Sequence, residues 1–153
     1  MLIVALVAFV LLNRIKFGRH LYVIGGNEQT ALVSGIRVTK TKIMVFLLTG
    51  CLIGLGGAVL MGRLGSGSPT AATGYEFDSI TAAIIGGTSL YGGVGNIPGT
   101  IAGALIIGIL NNILNLLRVS AYWQMMIKGI VLIAAVLLDL KTKQARLSII
   151  ETK

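Results

Sequence analysis

The stretch SITAAIIGGTSLYGGVGNIPGTIAGALIIGILNNILNLL, from Ser79 to Leu117, decides the fold of this chain. It contains no charged residue. As one continuous helix it would be about 58 Å long, which is enough for roughly two passes through the hydrocarbon core of a bilayer. A glycine-rich segment from Gly86 to Gly99 interrupts the stretch near its centre. The sequence therefore predicts two membrane-embedded helices joined by a turn.

The composition of the whole chain also indicates a membrane protein. Of its 153 residues, 55% are hydrophobic and 12% are charged, and the mean hydropathy is +0.91. Soluble domains carry about 25% charged residues, so these values exclude an ordinary soluble enzyme, a disordered segment and a nucleic-acid-binding domain. The single cysteine, Cys51, excludes a disulfide within the chain, and the single histidine argues against a Cys/His metal site.

Three further apolar segments complete the predicted membrane region. Ile43–Gly62 is uncharged and would form a helix of about 30 Å, the thickness of a bilayer core. Val119–Leu138 contains one charge, Lys128, whose long side chain is expected to reach the outer surface. Met1–Leu12 would be about 18 Å long and is expected to be the end of a truncated transmembrane helix. The predicted fold class is an all-α, polytopic transmembrane protein with about four spans plus this truncated helix.

Basic residues set the predicted orientation in the membrane. Ten of the 13 Lys and Arg residues lie in residues 13–42 or in the tail 141–153. They are Arg14, Lys16, Arg19, Arg37, Lys40, Lys42, Lys141, Lys143, Arg146 and Lys153. Because cytoplasmic loops are enriched in Lys and Arg, both segments are predicted to be cytoplasmic and Gly62–Asp78 to be outside. Topology thus explains the basic excess, and nucleic acid is not an expected partner.

With both basic segments inside, an odd number of crossings must follow the outer segment. Gly99–Leu117 and Met125–Leu140 supply two of them. The third is then Ser79–Tyr91, a short or broken crossing of about 20 Å, with an inside turn at Gly92–Pro98. A re-entrant loop is the alternative, and it would place the basic tail outside, against the charge rule.

A short helix is predicted in the first basic segment, within GGNEQTALVSGI, Gly25–Ile36. Asn27 is a favourable N-cap residue, and Glu28 suits the positive end of a helix dipole. Gly35 suits the left-handed position that follows a helix. These signals bracket a helix of two turns over Glu28–Ser34. Two interpretations remain open: a surface helix resting on lipid headgroups, or a docking element for a cytosolic partner.

The glycine-rich segment GGTSLYGGVGNIPGT, Gly86–Thr100, is neither a phosphate loop nor a dinucleotide fingerprint. No Gly-Lys-Ser/Thr follows it, and Pro98 stands where a third fingerprint glycine would be. It is interpreted either as a tight turn between helices or as close backbone packing of a broken helix beside a transport pathway. Irregular backbone at membrane depth must in either case be buried in protein or line a wet cavity.

Small and polar residues in the spans predict contacts between helices. Two glycine pairs with a spacing of four allow close helix approach: Gly50 with Gly54, and Gly99 with Gly103. Asn111 and Asn115 share one helix face, and hydrogen bonding between helices is favoured over contact with a polar substrate. Asp139 is expected to be a terminal charge only. Glu76 and Asp78, in the predicted outer loop, lack the neighbours that enzyme chemistry needs.

Three segments together resemble a known family, from about Gly18 to Asp139. GRHLYVIGGNEQTALVSGI followed by KTKIMVFLLTG is similar to the cytoplasmic coupling loop and next helix of the sugar-type ABC transporter permeases, the ribose/galactose/xylose/autoinducer branch. RLGSGSPTAATGYEFDSITAAIIGGTSLYGGVGNIPGTIAGALIIGILNNILNLL resembles the most recognisable stretch of that family, and SAYWQMMIKGIVLIAAVLLD resembles its last helix.

The resemblance implies a permease subunit of an ATP-driven importer for a ribose-like monosaccharide or related sugar, in the bacterial cytoplasmic (inner) membrane. The implied partners are cytosolic ATP-binding subunits, a second permease copy, an extracytoplasmic sugar-binding protein and membrane lipid. The chain itself is expected to be no enzyme and to hold no cofactor, because a partner binds ATP. Family permeases are longer, so the chain is expected to be the C-terminal half of one.

The same resemblance assigns expected roles to two groups of residues. Coupling to the ATPase subunit is expected of Asn27, Glu28, Ala31, Ser34 and Gly35. The pathway or broken-helix region comprises Gly74, Tyr75, Glu76, Asp78, Gly86, Gly87, Gly92, Gly93, Gly95 and Gly99. The expected organisation is a truncated helix (1–12), a coupling loop (13–42), a transmembrane permease region (43–140) and a basic tail (141–153). The alternatives are an inactive permease stub that only assembles with other subunits and a fragment of a secondary transporter.

Overall fold

The computed structural model describes the backbone of residues 2–151 and the side chains of residues 4–141. All regular structure in this part of the chain is helical. The helices are α1 (Leu2–Asn13), α2 (Lys16–Gly26), α3 (Glu28–Val33), α4 (Val38–Leu64), α5 (Tyr75–Ile85), α6 (Ile97–Leu116) and α7 (Ala121–Glu151). The all-α prediction is confirmed.

Three of these helices are long and apolar enough to cross a membrane: α4, α6 and the part of α7 from Ala121 to Lys141. The apolar part of α1, Val4–Asn13, is shorter. Helix α5 has 11 residues, so it is about 16 Å long and covers roughly half of a bilayer core. A short helix therefore stands where the sequence predicts a short or broken crossing.

Most helices begin earlier than predicted: α4 starts at Val38 instead of Ile43, for example, and the changes in α5 and α7 matter most. Helix α5 begins at Tyr75 rather than Ser79, so Asp78 lies in its first turn and not in a loop. The left-handed conformation of Gly74 (φ 87°) turns the chain directly into the helix. Helix α7 continues to Glu151, so most of the predicted tail prolongs the last helix. The final two residues of that tail, 152 and 153, lie outside the described part of the chain.

Helix α5 packs closely against α6. A Cβ atom on Gly86 would come within 2.5 Å of the backbone of Thr100, and one on Gly103 would clash with the carbonyl oxygen of Ala82. Thr81, Ala82 and Ile84 of α5 are buried, and α5 packs against both α6 and α7. The predicted close packing of Gly99 and Gly103 is therefore confirmed.

Helix α4 has a different environment. None of the residues in its apolar window is buried against the rest of the described chain. It packs against α2 and α3 through its first turns, where Val38 and Thr41 are buried. A Cβ on Gly50 or Gly54 would meet nothing within 4 Å, so the close packing predicted for this pair is not made within the described residues.

Candidate coupling helix and transmembrane pathway

The predicted coupling helix is built by its own local sequence. The Asn27 side chain accepts a hydrogen bond from the Thr30 amide at 3.1 Å and so caps the first turn of α3. The Ser34 hydroxyl donates to the Thr30 carbonyl at 2.8 Å. Gly35 has φ +76°, the left-handed conformation that glycine adopts without strain. The N-cap and the C-terminal glycine are confirmed, and the helix ends one residue before the predicted limit.

Helix α3 has one buried and one exposed side. Ala31 is completely buried, whereas Val33 is 87% and Leu32 is 56% exposed. Glu28 forms an ion pair with Lys42 at 2.7 Å, which links α3 to the start of α4. The exposed side therefore presents two apolar side chains beside a charged pair. This surface suits either lipid headgroups or a partner protein, and both interpretations of the helix remain open at this point.

The end of α2 lies directly against the glycine-rich turn between α5 and α6. A Cβ on Gly25 would be 2.8 Å from the Gly93 nitrogen, and one on Gly92 would clash with the Gly25 carbonyl oxygen. The Tyr22 hydroxyl donates to the carbonyl oxygen of Gly95 at 3.1 Å. The predicted coupling helix and the glycine-rich turn, which are far apart in the sequence, are therefore close in the structure. Asn27, two residues after Gly25, caps α3.

The same turn is held to the inner part of α7. The Ser89 hydroxyl and the Leu90 amide both donate to Asp139 Oδ2, at 3.1 and 3.2 Å. The interpretation of Asp139 as a mere terminal charge is wrong, because this carboxylate satisfies backbone and side-chain donors of the turn. A cavity of about 410 Å³ lies here, and its lining includes Ser89 and Asp139 together with Gly87 and Gly92. It is called the inner cavity below, after the predicted orientation of the chain.

A polar cluster ties α5, α6 and α7 together toward their predicted outer ends. Lys128 Nζ lies 2.8 Å from Asp78 Oδ2, with the two side chains 20% and 14% exposed. Asn111 Nδ2 donates to the same oxygen at 2.9 Å. The expectation that Lys128 reaches the outer surface is wrong: pairing with Asp78 removes the cost of a lone charge in the membrane.

The predicted hydrogen bonding of the two asparagines is confirmed. Asn111 bonds to α5, and Asn115 Oδ1 accepts from Gln124 Nε2 of α7 at 3.1 Å. Next to this cluster, a cavity of about 510 Å³, hereafter the outer cavity because of its predicted orientation, separates the start of α5 from α7. Its polar lining includes Glu76, Gln124 and Lys128. In a bilayer, a cavity with these polar groups would be wet or covered by protein.

The predicted pathway residues do not form a single site. Gly74 and Glu76 line the outer cavity, while Asp78 pairs beside it. Gly86 and Gly99 form the α5–α6 crossing, and Gly87 and Gly92 line the inner cavity. Gly93 and Gly95 contact α2, and Tyr75 is about half exposed at the start of α5. Among the described residues, no group of three or more His, Cys, Asp and Glu could hold a metal ion.

Three helices that could span a membrane, a short helix that ends in a glycine-rich turn and a charged pair between helices are features of a multi-pass membrane protein. The chain belongs to the family described as branched-chain amino acid transport system / permease component, which matches residues 1–136. No solved structure matches the chain. The prediction of a multi-pass protein of the bacterial cytoplasmic membrane is confirmed by the family and by the three spanning helices.

Several curated relatives support the predicted sugar-permease resemblance. The ribose import permease protein RbsC of Bacillus subtilis (strain 168) is 54% identical over 141 residues, covering 92% of this chain and 44% of the relative. RbsC of Escherichia coli (strain K12) is 52% identical over 91% of this chain and 43% of the relative. The xylose transport system permease protein XylH of Haemophilus influenzae is 44% identical over 93% of this chain and 38% of the relative. The chain spans less than half the length of these relatives.

Proposed function

We propose that this chain forms part of the membrane-spanning permease subunit of an ATP-driven ABC importer, and that its cargo is a ribose-like monosaccharide or a related sugar. The observation that carries the proposal is the 54% identity to a ribose import permease over 92% of the chain. The similarity to a xylose permease keeps the sugar class broader than ribose. Exposed apolar residues on α3, and an outer cavity whose lining includes Glu76, Gln124 and Lys128, fit the two ends of such a pathway.

The cytoplasmic end of the pathway is α3. Its exposed residues, Leu32 and Val33, dock onto a cytosolic ATP-binding subunit, and Asn27 and Gly35 hold the helix in shape. A six-residue helix has little stability alone, so burial of its apolar face by a partner stabilises it. ATP is bound and hydrolysed by that partner. The chain itself therefore has no catalytic residue and needs no cofactor.

The remaining partners follow from the exposed surfaces. Helix α4 is apolar and unburied, so lipid and a second permease copy are its neighbours. The outer cavity beside Glu76, Gln124 and Lys128 receives sugar from an extracytoplasmic binding protein, because amide and charged groups hydrogen-bond to hydroxyls. The basic segments face the cytoplasm and bind no nucleic acid.

A chimera tests this function. The 141 matched residues of the Bacillus subtilis ribose permease are replaced by those of this chain, and the chimera is expressed in a strain lacking its own ribose permease. Uptake of radiolabelled ribose or xylose is expected, together with co-purification of the ATP-binding subunits. The permease with its own segment restored is the control.

Two outcomes would overturn the proposal. A membrane-inserted chimera that does not retain the ATP-binding subunits would exclude the docking role of α3. A chimera that retains these subunits but imports neither sugar would show an assembly role without transport.

A further inference from the structure

We infer that the contact of Gly25 with Gly92 and Gly93, hereafter the glycine contact, transmits movement of α3 to the broken crossing, with Tyr22 as a second positioning residue. The inference rests on the proposed function, in which an ATP-binding subunit docks on α3. It adds the route by which docking reaches the membrane part of the chain. Gly25 and Tyr22 are positioning residues: they act on the pathway through the turn that joins α5 to α6, without binding sugar or ATP themselves.

The glycine contact is made by backbone atoms on both sides. A Cβ on Gly25 would lie 2.8 Å from the Gly93 nitrogen and 3.5 Å from the Gly92 Cα, which leaves no space for a side chain. Side chains can absorb a displacement by changing rotamer, but backbone in direct contact cannot. A displacement of the end of α2 is therefore passed on to the glycine-rich turn, because no side chain at the contact can take it up.

The cytoplasmic side of the glycine contact is continuous with α3. The Asn27 amide donates to the Val23 carbonyl at 3.0 Å, which completes the last turn of α2. The side chain of the same residue accepts from Thr30 and begins α3. One residue thus ends α2 and starts α3, without a flexible linker between them. A rotation of α3 on its partner carries the end of α2 with it.

The membrane side of the contact is fixed to two helices. The Thr88 and Thr100 hydroxyls lie 3.2 Å apart and link the turn to the first turns of α6. Asp139 accepts from Ser89 and Leu90 and links the turn to α7. Displacement of the turn therefore acts on α6 and α7 together. Helix α7 lines both cavities together with α5 and the segments next to it, and it pairs with α5 through Asp78–Lys128. Helix α6 packs against α5 and bonds to the same carboxylate through Asn111.

Adjacent glycines give a matched test. Gly25→Ala places a methyl group 2.8 Å from the Gly93 nitrogen, whereas Gly26→Ala places one at an ordinary 3.9 Å from the Gly93 Cα. Both positions are at the end of α2, so helix propensity changes equally. Tyr22→Phe removes only the hydroxyl that donates to Gly95. Each change is made in the full-length chimera, which is reconstituted with its ATP-binding subunits.

Two quantities are measured: co-purification of the ATP-binding subunits and stimulation of ATP hydrolysis by the sugar-loaded binding protein. Gly25→Ala is expected to keep co-purification and to lower stimulation about tenfold, a usual size for coupling between sites. Gly26→Ala is expected to change both by less than about twofold. Tyr22→Phe is expected to lower stimulation about threefold with co-purification retained.

Each outcome decides the inference. Unchanged stimulation in Gly25→Ala would overturn it, as would an equal loss in Gly26→Ala. If Gly25→Ala does not reach the membrane, Tyr22→Phe decides, and normal stimulation in that variant overturns the inference. Loss of co-purification in the unmodified chimera would instead overturn the proposed function, which separates the two failures.

Discussion

Helix α4 and the α5–α6 pair suit a membrane environment for different reasons. Helix α4 is 27 residues long, continuous and apolar, and its apolar window makes no buried contact with the rest of the described chain. Helix α5 has 11 residues, ends in a glycine-rich turn and depends on α6 and α7 for its environment. Both contain glycines at helix-packing spacing, yet only those of α5–α6 meet backbone from another helix.

This difference shows that hydrophobic length and internal packing are separate requirements. A long apolar helix satisfies its own backbone hydrogen bonds and can face lipid along its whole surface. A broken crossing leaves backbone groups of the turn without helical partners, so tight contacts and side-chain acceptors such as Asp139 must supply them. Substitutions of the same kind should therefore have very different effects in the two regions.

The largest effect is expected for Gly103→Leu compared with Gly54→Leu. A side chain at Gly103 would collide with the carbonyl of Ala82, and overpacking of this kind costs about 3 kcal/mol. The side chain at Gly54 meets nothing within 4 Å, so a change of less than about 0.5 kcal/mol is expected. Thermal unfolding of the purified proteins in detergent measures both. Equal destabilisation would show that α4 is packed as tightly as α6.

The next effect is expected at the Asp78–Lys128 ion pair, which is largely buried, whereas the Glu28–Lys42 pair at the start of α4 is exposed. Lys128→Met leaves the buried Asp78 carboxylate without its cation and should cost about 2–3 kcal/mol, because both side chains are largely buried. The double variant Asp78→Asn/Lys128→Met should recover part of this loss, since no lone charge remains. Unfolding of these two variants, of Asp78→Asn alone and of the unmodified chain is compared in a double-mutant cycle. Additive losses would mean that the two charges do not interact.

A smaller effect is expected at α3, the short helix that precedes α4 and packs against its first turns. Asn27→Ala removes the cap of α3 and should cost about 1 kcal/mol of helix stability. Gly35→Val strains a left-handed residue by about 1 kcal/mol or more. Neither change touches an apolar span, so membrane insertion should persist while co-purification of ATP-binding subunits and sugar-dependent ATP hydrolysis fall. Normal values of both would favour a helix that only rests on headgroups.

The smallest effect on stability is expected for two cysteine substitutions that report the orientation of the chain in the membrane. Ser68→Cys and Ser148→Cys are made in a Cys51→Ser background and should leave stability within about 0.5 kcal/mol. An impermeant thiol reagent applied to intact spheroplasts should label the first and not the second, as the distribution of Lys and Arg predicts. The reverse pattern would contradict the predicted orientation.

Local features of the fold could be predicted from the sequence, and distant pairings could not. Charge-free runs locate the spans, and Asn27 and Gly35 delimit α3, because each depends on neighbouring residues. Asp78 and Lys128 are 50 positions apart, and so are Ser89 and Asp139. Spacing along the chain does not reveal such pairs. The available signal is chemical: a carboxylate and an ammonium in or near apolar spans of one chain should be tested as partners.

The glycine contact escaped prediction for a related reason. Gly25 and Gly92 have no side chains, so no pattern of polarity or periodicity marks them as neighbours. Their closeness follows from how α2 lies against the α5–α6 turn, which only the three-dimensional arrangement gives.

The unbroken length of α7 has a geometric consequence. Its 31 residues make a rod of about 46 Å, which exceeds the bilayer core by roughly 16 Å. The Asp78–Lys128 pair holds this rod two turns from its start. If the rod tilts about that fixed point, each residue moves in proportion to its distance from it. Lys128 then stays almost still, whereas Asp139, about 16 Å further along the axis, sweeps an arc that carries the glycine-rich turn with it.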